Sequence, residues 1–207
     1  MVVILDYGMG NSGSILNMIR KSGVSAKISV DPDDIKSATG FVLPGVGAFD
    51  NGMNKINSLE ITSLLEQRVF EEKLPFLGVC LGMQLLLNKS EEGIVKGLGW
   101  IDGEVKKFDF SDLNTRKKLK IPHMGWNLVH PTSYDTLFQG LEDEARFYYV
   151  HSYHAVCYDQ ENVLGTCEYG YEFASAVQNE NIFGVQFHPE KSHIFGLTLF
   201  KNFLKLL

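Results

Sequence analysis

Apolar positions in the first half of the chain alternate between two periods. Val2 to Asp6 is an almost continuous apolar run that ends in a glycine-rich loop, and Ile15, Leu16 and Ile19 then fall at helical spacing within Ser14 to Lys21. That pattern predicts a strand, a turn and a helix. Ala26 to Val30 is β-prone, Gly40 to Leu43 is a short buried run, Leu59 to Glu72 has a helical period, and Pro75 to Val79 is again an apolar strand. Such alternation predicts an α/β fold with a mostly parallel central sheet and helices on both faces. After residue 98 the character changes. Trp100 to Phe110, Phe147 to Tyr158, Phe173 to Val177 and Ile182 to Phe187 read as strands joined by polar turns, which predicts an antiparallel extension of the sheet. Leu197, Phe200, Leu204 and Leu207 then recur at helical spacing, the mark of a closing amphipathic helix.

No internal repeat or Pro/Gly/Ser linker divides these elements, so residues 1–207 are expected to form one domain. Its 207 residues, 44% hydrophobic and 21% charged, suffice for one core and fall short of two ordinary domains. Nineteen basic against 25 acidic residues give a net charge of −6, which argues against nucleic acid as a partner. The opening MVVILDY carries no cationic lead, and the apolar stretch Leu74 to Leu87 is too short and too broken to span a bilayer. The expectation is a soluble, cytoplasmic protein away from membranes. Three cysteines without C-x-x-C spacing suggest neither a disulfide framework nor a metal site. The basic run Arg116-Lys117-Lys118 with Lys120 reads as a solvated loop.

Three segments carry candidate chemistry. Gly8-Met9-Gly10-Asn11-Ser12-Gly13 is a formal G-x-G-x-x-G between strand and helix, with Asp31 downstream. It reads either as a dinucleotide site or as a tight turn, with Asp31 merely opening Asp31-Pro32-Asp33. Stronger is Gly78-Val79-Cys80-Leu81-Gly82, a nucleophile elbow in which a strand turns sharply into a helix. Glycines two residues to either side allow the crowded turn, and the helix N-terminus favours thiolate over thiol. The third, Phe187-His188-Pro189-Glu190, presents an imidazole and a carboxylate at a strand end. A thiolate needs a proton acceptor that titrates near neutrality and a carboxylate to fix its tautomer, so the chain order Cys80, His188, Glu190 reads as a triad. His123, His130, His151, His154 and His193 have no carboxylate placed comparably, and Cys157 and Cys167 lack glycine elbows and read as small buried apolar groups.

Together with Pro44-Gly45-Val46-Gly47, the elbow and Gly184-Val185-Gln186-Phe187-His188-Pro189-Glu190-Lys191-Ser192 resemble the class I (triad) glutamine amidotransferases. Asp6-Tyr7-Gly8-Met9-Gly10-Asn11, Pro122-His123-Met124-Gly125-Trp126-Asn127 and Val150-His151-Ser152-Tyr153 resemble, within that family, the glutaminase subunits of imidazole glycerol phosphate synthase, the HisH type. The resemblance runs in order from Met1 to Leu207. It implies Cys80 as nucleophile, His188 as general acid and base and Glu190 as its orienter, acting on L-glutamine without a cofactor. It implies an oxyanion hole from the Leu81 N–H and the Val46-Gly47 segment, and substrate contacts from Gln84, His151, Ser152 and Tyr153.

A glutaminase without a synthase domain also implies a partner, because ammonium is not a nucleophile and ammonia must pass directly to a second site. By resemblance that partner is a (β/α)8 cyclase of the HisF type, met through Asn11, Trp126, Tyr148 and Lys191, with the glycine loop facing it and the glutaminase nearly silent until the cyclase site is filled. Two other readings stand beside this one. One is a paralogue feeding ammonia to an enzyme that modifies surface-polysaccharide sugars, and the other is a dinucleotide-binding module built on Gly8 to Gly13.

Overall fold

The computed structural model describes residues 1–111, 119–141 and 144–207, and the basic run at 116–118 lies outside them. The first half lays down β1 (Val2–Leu5), α1 (Ser12–Lys21), β2 (Ala26–Ser29), α2 (Pro32–Ser37), β3 (Gly40–Gly45), α3 (Phe49–Ser58), α4 (Thr62–Glu66), β4 (Phe76–Cys80) and α5 (Leu81–Leu85). The second half adds β5 (Lys89–Ser90), β6 (Gly103–Lys107), β7 (His123–Leu128), β8 (His130–Pro131), β9 (Arg146–His151), β10 (Tyr153–Cys157), β11 (Val163–Tyr169), β12 (Tyr171–Asn179), β13 (Ile182–Val185) and α6 (His193–Leu204).

The main sheet runs β2-β1-β3-β4-β13-β12-β10-β6-β5, with β11 and β8 attached beside β12. Its first five strands are mutually parallel, and antiparallel pairing begins at β13–β12, as the change of pattern after residue 98 predicts. The continuous apolar runs follow from burial on both faces. Val2, Ile4, Val42, Leu77 and Val79 join one core with Ile15 and Ile19 of α1 and Leu199, Phe200 and Phe203 of α6. The alternate residues Val3, Leu5, Phe41, Leu43 and Phe76 join the other, with Phe49, Met53 and Ile56 of α3.

Three expectations change. Phe147 to Tyr158 is two strands that part at Ser152: β9 leaves the main sheet to pair with β7, whereas β10 stays in it between β6 and β12. Leu59 to Glu72 is not one helix, because Glu60 takes φ 55° and the helical turns resume only at Thr62, widening to i→i+5 bonding over Gln67–Glu71. In α6 the buried stripe is Gly196, Leu199, Phe200, Phe203 and Leu204, so Leu207 lies exposed beyond the helix end.

Candidate active site

Cys80 is the last residue of β4 and the N-cap of α5, with φ 56° and ψ −109°. A non-glycine residue in such a conformation carries strain on the order of 1–3 kcal/mol, held here by two glycines. A Cβ on Gly78 would stand 2.6 Å from the Gly82 carbonyl oxygen, and one on Gly82 would coincide with the backbone of Leu43 in β3. Only hydrogen at both positions lets α5 start this close to the sheet. The strain places Cys80 in a cleft at the carboxyl edge of the parallel strands, the usual ligand position in such sheets.

That cleft, about 390 Å³, is lined by Val46, Gly47, Cys80, Leu81, Gln84, His151, Ser152, Tyr153 and His188, among others. Residues spread over more than a hundred positions of sequence meet here. His188 follows β13 and is buried. Its Nδ1 bonds to Glu190 Oε1 at 2.9 Å, both side chains being 2% exposed. Because a carboxylate only accepts, Nδ1 carries the proton and Nε2 is free to exchange one with sulfur. Among the described residues Nε2 has no partner meeting strict hydrogen-bond geometry, only a looser approach to the Cys80 sulfur of the kind usual before substrate binds. Burial alone would lower the His188 pKa, but hydrogen bonding to Cys80 and Glu190 and their negative charges outweigh it and push the value up to about 10. The backbone is clamped too: His188 N–H donates to the Tyr148 carbonyl at 2.8 Å, and Ser192 Oγ bridges the Tyr148 N–H and the His188 carbonyl.

Across the cleft, Val46 and Gly47 follow β3, whose Gly45 pairs with Cys80. Gly47 has φ 108°, a left-handed conformation suited to glycine, and Met9 of the first glycine loop packs where its Cβ would be. This segment and Leu81, at the start of α5, line the same cleft as Cys80.

The residues expected to contact substrate are already engaged with one another. Both ring nitrogens of His151 are occupied, Nε2 by His123 Nδ1 at 3.0 Å and Nδ1 by the Tyr153 carbonyl at 2.8 Å. Gln84 uses its amide nitrogen on the Tyr153 carbonyl and on Gln186 Oε1, leaving Oε1 for a ligand. Two residues escaped the sequence reading. Glu92 lines the cleft, its Oε2 fixed by the Phe49 N–H at 2.8 Å; the Glu91-Glu92 pair after the elbow helix was the available signal. Gln186 bonds to Cys80 through the sulfur, and its place two residues before His188 was the clue.

The glycine loop has another use than phosphate binding. Gly8 and Gly10 take φ 76° and 114°, and a Cβ on Gly10 would meet Pro44 at 2.9 Å, so the loop supports the end of β3. Gly13 lies inside α1 with nothing near it, and Asp31 caps α2 by accepting the Asp33 N–H. Trp126, Tyr148 and Lys191 form one surface group, with the Lys191 ammonium over the Tyr148 ring at 5.7 Å and the Trp126 and Tyr148 rings 6.3 Å apart. Asn11, also exposed, caps α1 by accepting the Ser14 N–H. Cys157 and Cys167 are buried, and burial pushes their thiols up to about 11 and about 12. Among the described residues, no three His, Cys, Asp or Glu side chains are placed to hold a metal, and no helix is long and apolar enough to cross a membrane.

Comparison with known proteins agrees with this geometry. The family profile "Glutamine amidotransferase class-I" matches residues 3–206. Imidazole glycerol phosphate synthase subunit HisH 2 of Methanococcus maripaludis is 53% identical over 205 residues, 99% of either chain. The protein of the same name from Pseudomonas aeruginosa is 46% identical over 207 residues, the whole of both. In fold, the structure of PurLQS from Thermotoga maritima superposes with a TM-score of 0.71 at 19% identity, over 99% of this chain and 97% of that one. The elbow cysteine, its imidazole–carboxylate pair and relatives matched from end to end agree: the chain belongs to the class-I glutamine amidotransferases, among the HisH subunits of imidazole glycerol phosphate synthase.

Proposed function

We propose that the chain hydrolyses L-glutamine to glutamate and ammonia through a thioester on Cys80, and delivers the ammonia to a (β/α)8 cyclase of the HisF type. The joint products are imidazole glycerol phosphate and aminoimidazole carboxamide ribotide, in histidine biosynthesis. The observation that carries this reading is the strained Cys80 elbow sharing one cleft with a His188 whose far nitrogen is bonded to Glu190.

The chemistry follows from the placement. The Cys80 thiolate attacks the side-chain carboxamide carbon, and the developing oxyanion is met by the Leu81 N–H and an N–H turned inward from the Val46–Gly47 segment. His188, protonated at neutral pH, gives its Nε2 proton to the leaving nitrogen, and ammonia departs. The same nitrogen then takes a proton from water, which opens the thioester and releases glutamate. Gln84 Oε1 and the Glu92 carboxylate match the ammonium end of an amino acid, a pairing that excludes simple amides.

A partner fits the surface beside the cleft. Met124, Trp126 and Ile194 are 61%, 47% and 63% exposed, and Lys191 adds charge. Such an apolar centre with a charged rim suits a stable subunit contact. The test is glutamine turnover by the purified chain with and without the cyclase, with Cys80→Ala as control. Turnover that rises with the partner and its nucleotide ligand, and vanishes in Cys80→Ala, is the expected result. Rescue of a histidine auxotroph lacking this subunit identifies the acceptor of the ammonia, and turnover without rescue would assign it to another pathway.

A further inference from the structure

The amide orientations around the cleft can be worked out from one group that only accepts. The Tyr153 carbonyl takes a hydrogen bond from His151 Nδ1 at 2.8 Å and lies 3.1 Å from the end of the Gln84 side chain. An amide oxygen there would face another oxygen, so the Gln84 nitrogen points at Tyr153. The second hydrogen of that nitrogen points at the Gln186 side chain, 3.0 Å away, and the atom it meets must be an acceptor. Gln186 is therefore fixed with Oε1 toward Gln84 and Nε2 toward Cys80 Sγ, at 3.8 Å.

We propose that Gln186 is a catalytic residue of this site: its side-chain amide donates a hydrogen bond to the Cys80 thiolate, and Gln84 and the Tyr153 carbonyl hold that amide in the donating orientation.

Three further observations support the arrangement. Gln186 is 0% exposed, so water does not compete for its amide, and its own N–H is pinned to the Ser175 carbonyl at 2.8 Å. Gln186 and His188 both follow β13, two residues apart, and the side chains of both reach the Cys80 sulfur. The Tyr153 carbonyl is itself held by a directed chain. With His151 Nδ1 donating, its Nε2 must accept from His123 Nδ1, whose own Nε2 accepts from Asn127 Nδ2 at 3.3 Å. Both imidazoles are thereby neutral.

A buried sulfur such as that of Cys157, which burial pushes up to about 11, stays a thiol. Cys80 has the helix terminus, the imidazolium and, on this reading, a fixed amide. Ionisation shortens N–H···S contacts, so the donor favours the thiolate over both the thiol and the thioester.

The inference rests on Cys80 being the nucleophile of the proposed function, and its test reads the sulfur directly. The rate of Cys80 carboxamidomethylation by iodoacetamide is measured against pH in the full chain, with the modified peptide quantified by mass spectrometry. Gln186→Leu is expected to raise the midpoint of that profile by about one pH unit and to lower the rate at neutral pH about tenfold, as loss of one donor to an ion implies. Gln84→Leu, which frees Gln186 to turn, shifts it in the same direction by less. In glutamine turnover with the partner, kcat of Gln186→Leu falls while its KM stays within about twofold. An unchanged profile in a folded Gln186→Leu protein overturns the assignment. If that variant does not fold, an unchanged profile in Gln84→Leu does so. Failure of the glutaminase reading itself would look different: no glutamine turnover in a wild-type chain whose Cys80 still alkylates at low pH.

Discussion

The carbonyl oxygen of Leu43 occupies the space in which a Cβ on Gly82 would stand. Because the obstacle is backbone of β3, no rotamer change relieves it. Gly82→Ala is expected to destabilise the fold by about 3 kcal/mol or more, a magnitude reserved for such collisions. Gly78→Ala, where Gly82 and Met83 backbone atoms lie 2.6–2.8 Å from the added carbon, should behave alike. Gly13→Ala is the contrast: nothing lies within 4 Å, the residue is helical, and the substitution should be neutral or stabilising by up to about 1 kcal/mol. Urea unfolding of the three variants checks the order.

Glu190 holds one His188 tautomer through Oε1, while its buried Oε2 has no partner among the described residues. In Glu190→Gln the amide can present nitrogen instead of oxygen, and the negative charge that helps raise the His188 pKa is gone. Expected is a fall in kcat of about 10²–10⁴-fold, the range seen when a triad carboxylate is neutralised. The His188 pKa should also drop from about 10 toward the ordinary imidazole value. The pH dependence of partner-activated glutamine turnover measures both effects.

Stability should decline on both sides of pH 6.5, for opposite reasons. The His188 pKa is raised in the fold to about 10, so its contribution is complete below pH 6.5 and is lost as pH climbs toward 10. Burial lowers His123 to about 4 and His151 to about 3, so their contribution is complete above 6.5 and is lost as pH falls toward those values. Denaturation midpoints measured across pH should therefore fall in both directions. Glu190→Gln should flatten the alkaline side, and His123→Asn the acid side. A wild-type curve without either decline would show that these imidazoles are not held as described.

Legibility in the sequence followed the range of the interactions. The elbow, the His188–Glu190 pair and the parallel strands were readable because glycine spacing and continuous apolar runs are local signals of backbone crowding and two-sided burial. The break at Ser152 was not, since β9 and β10 are alike in composition and differ only in which distant strand each meets, β7 or β6. Nor was the true stripe of α6, because Leu197 and Leu207 fit a helical period as well as Leu199 and Phe203 do, and only the position of the sheet chooses between them. The position of Gln186 before His188 was a clue to its place but not to its role: an amide gains one only when another amide, 102 residues earlier, fixes which end it turns to the sulfur.

Tyr7 shows what a buried group without a partner should cost. Among the described residues its hydroxyl has no hydrogen-bond partner, and it sits 2.6 Å from the place a Cβ on Gly45 would take. Burial, with the nearby Cys80 charge adding to it, holds the phenol well above its ordinary pKa, so it stays neutral. An unpaired buried hydroxyl costs about 1–3 kcal/mol, and Tyr7→Phe removes it without changing the ring. A rise in stability of about 1 kcal/mol is expected in denaturant titrations, with glutamine turnover unchanged within about twofold. A loss of stability would mean that the hydroxyl has a partner in solution.

The last prediction concerns the surface beside the cleft. Trp126 stands half exposed on β7, its ring stacked 5.5 Å from His193 at 4°. Among the described residues nothing buries its outer face, so truncation should cost the isolated subunit less than about 0.5 kcal/mol. In an assembly that covered this face the same ring would be buried, and a buried interface tryptophan contributes about 2 kcal/mol or more. Trp126→Ala is therefore expected to weaken association with the cyclase about thirtyfold, read by titration calorimetry, while leaving the melting temperature of the free chain in place. Lys191→Ala should act on a different quantity, slowing association and reducing its salt dependence, because a rim charge steers encounter more than it holds the complex. The distinction matters for catalysis, since the strand neighbouring Trp126 carries the Tyr148 carbonyl that receives the His188 N–H. A partner that shifts β9 shifts the base with it. If Trp126→Ala left affinity unchanged, the cyclase would have to dock elsewhere, and this mechanical link from interface to imidazole would have no force acting on it.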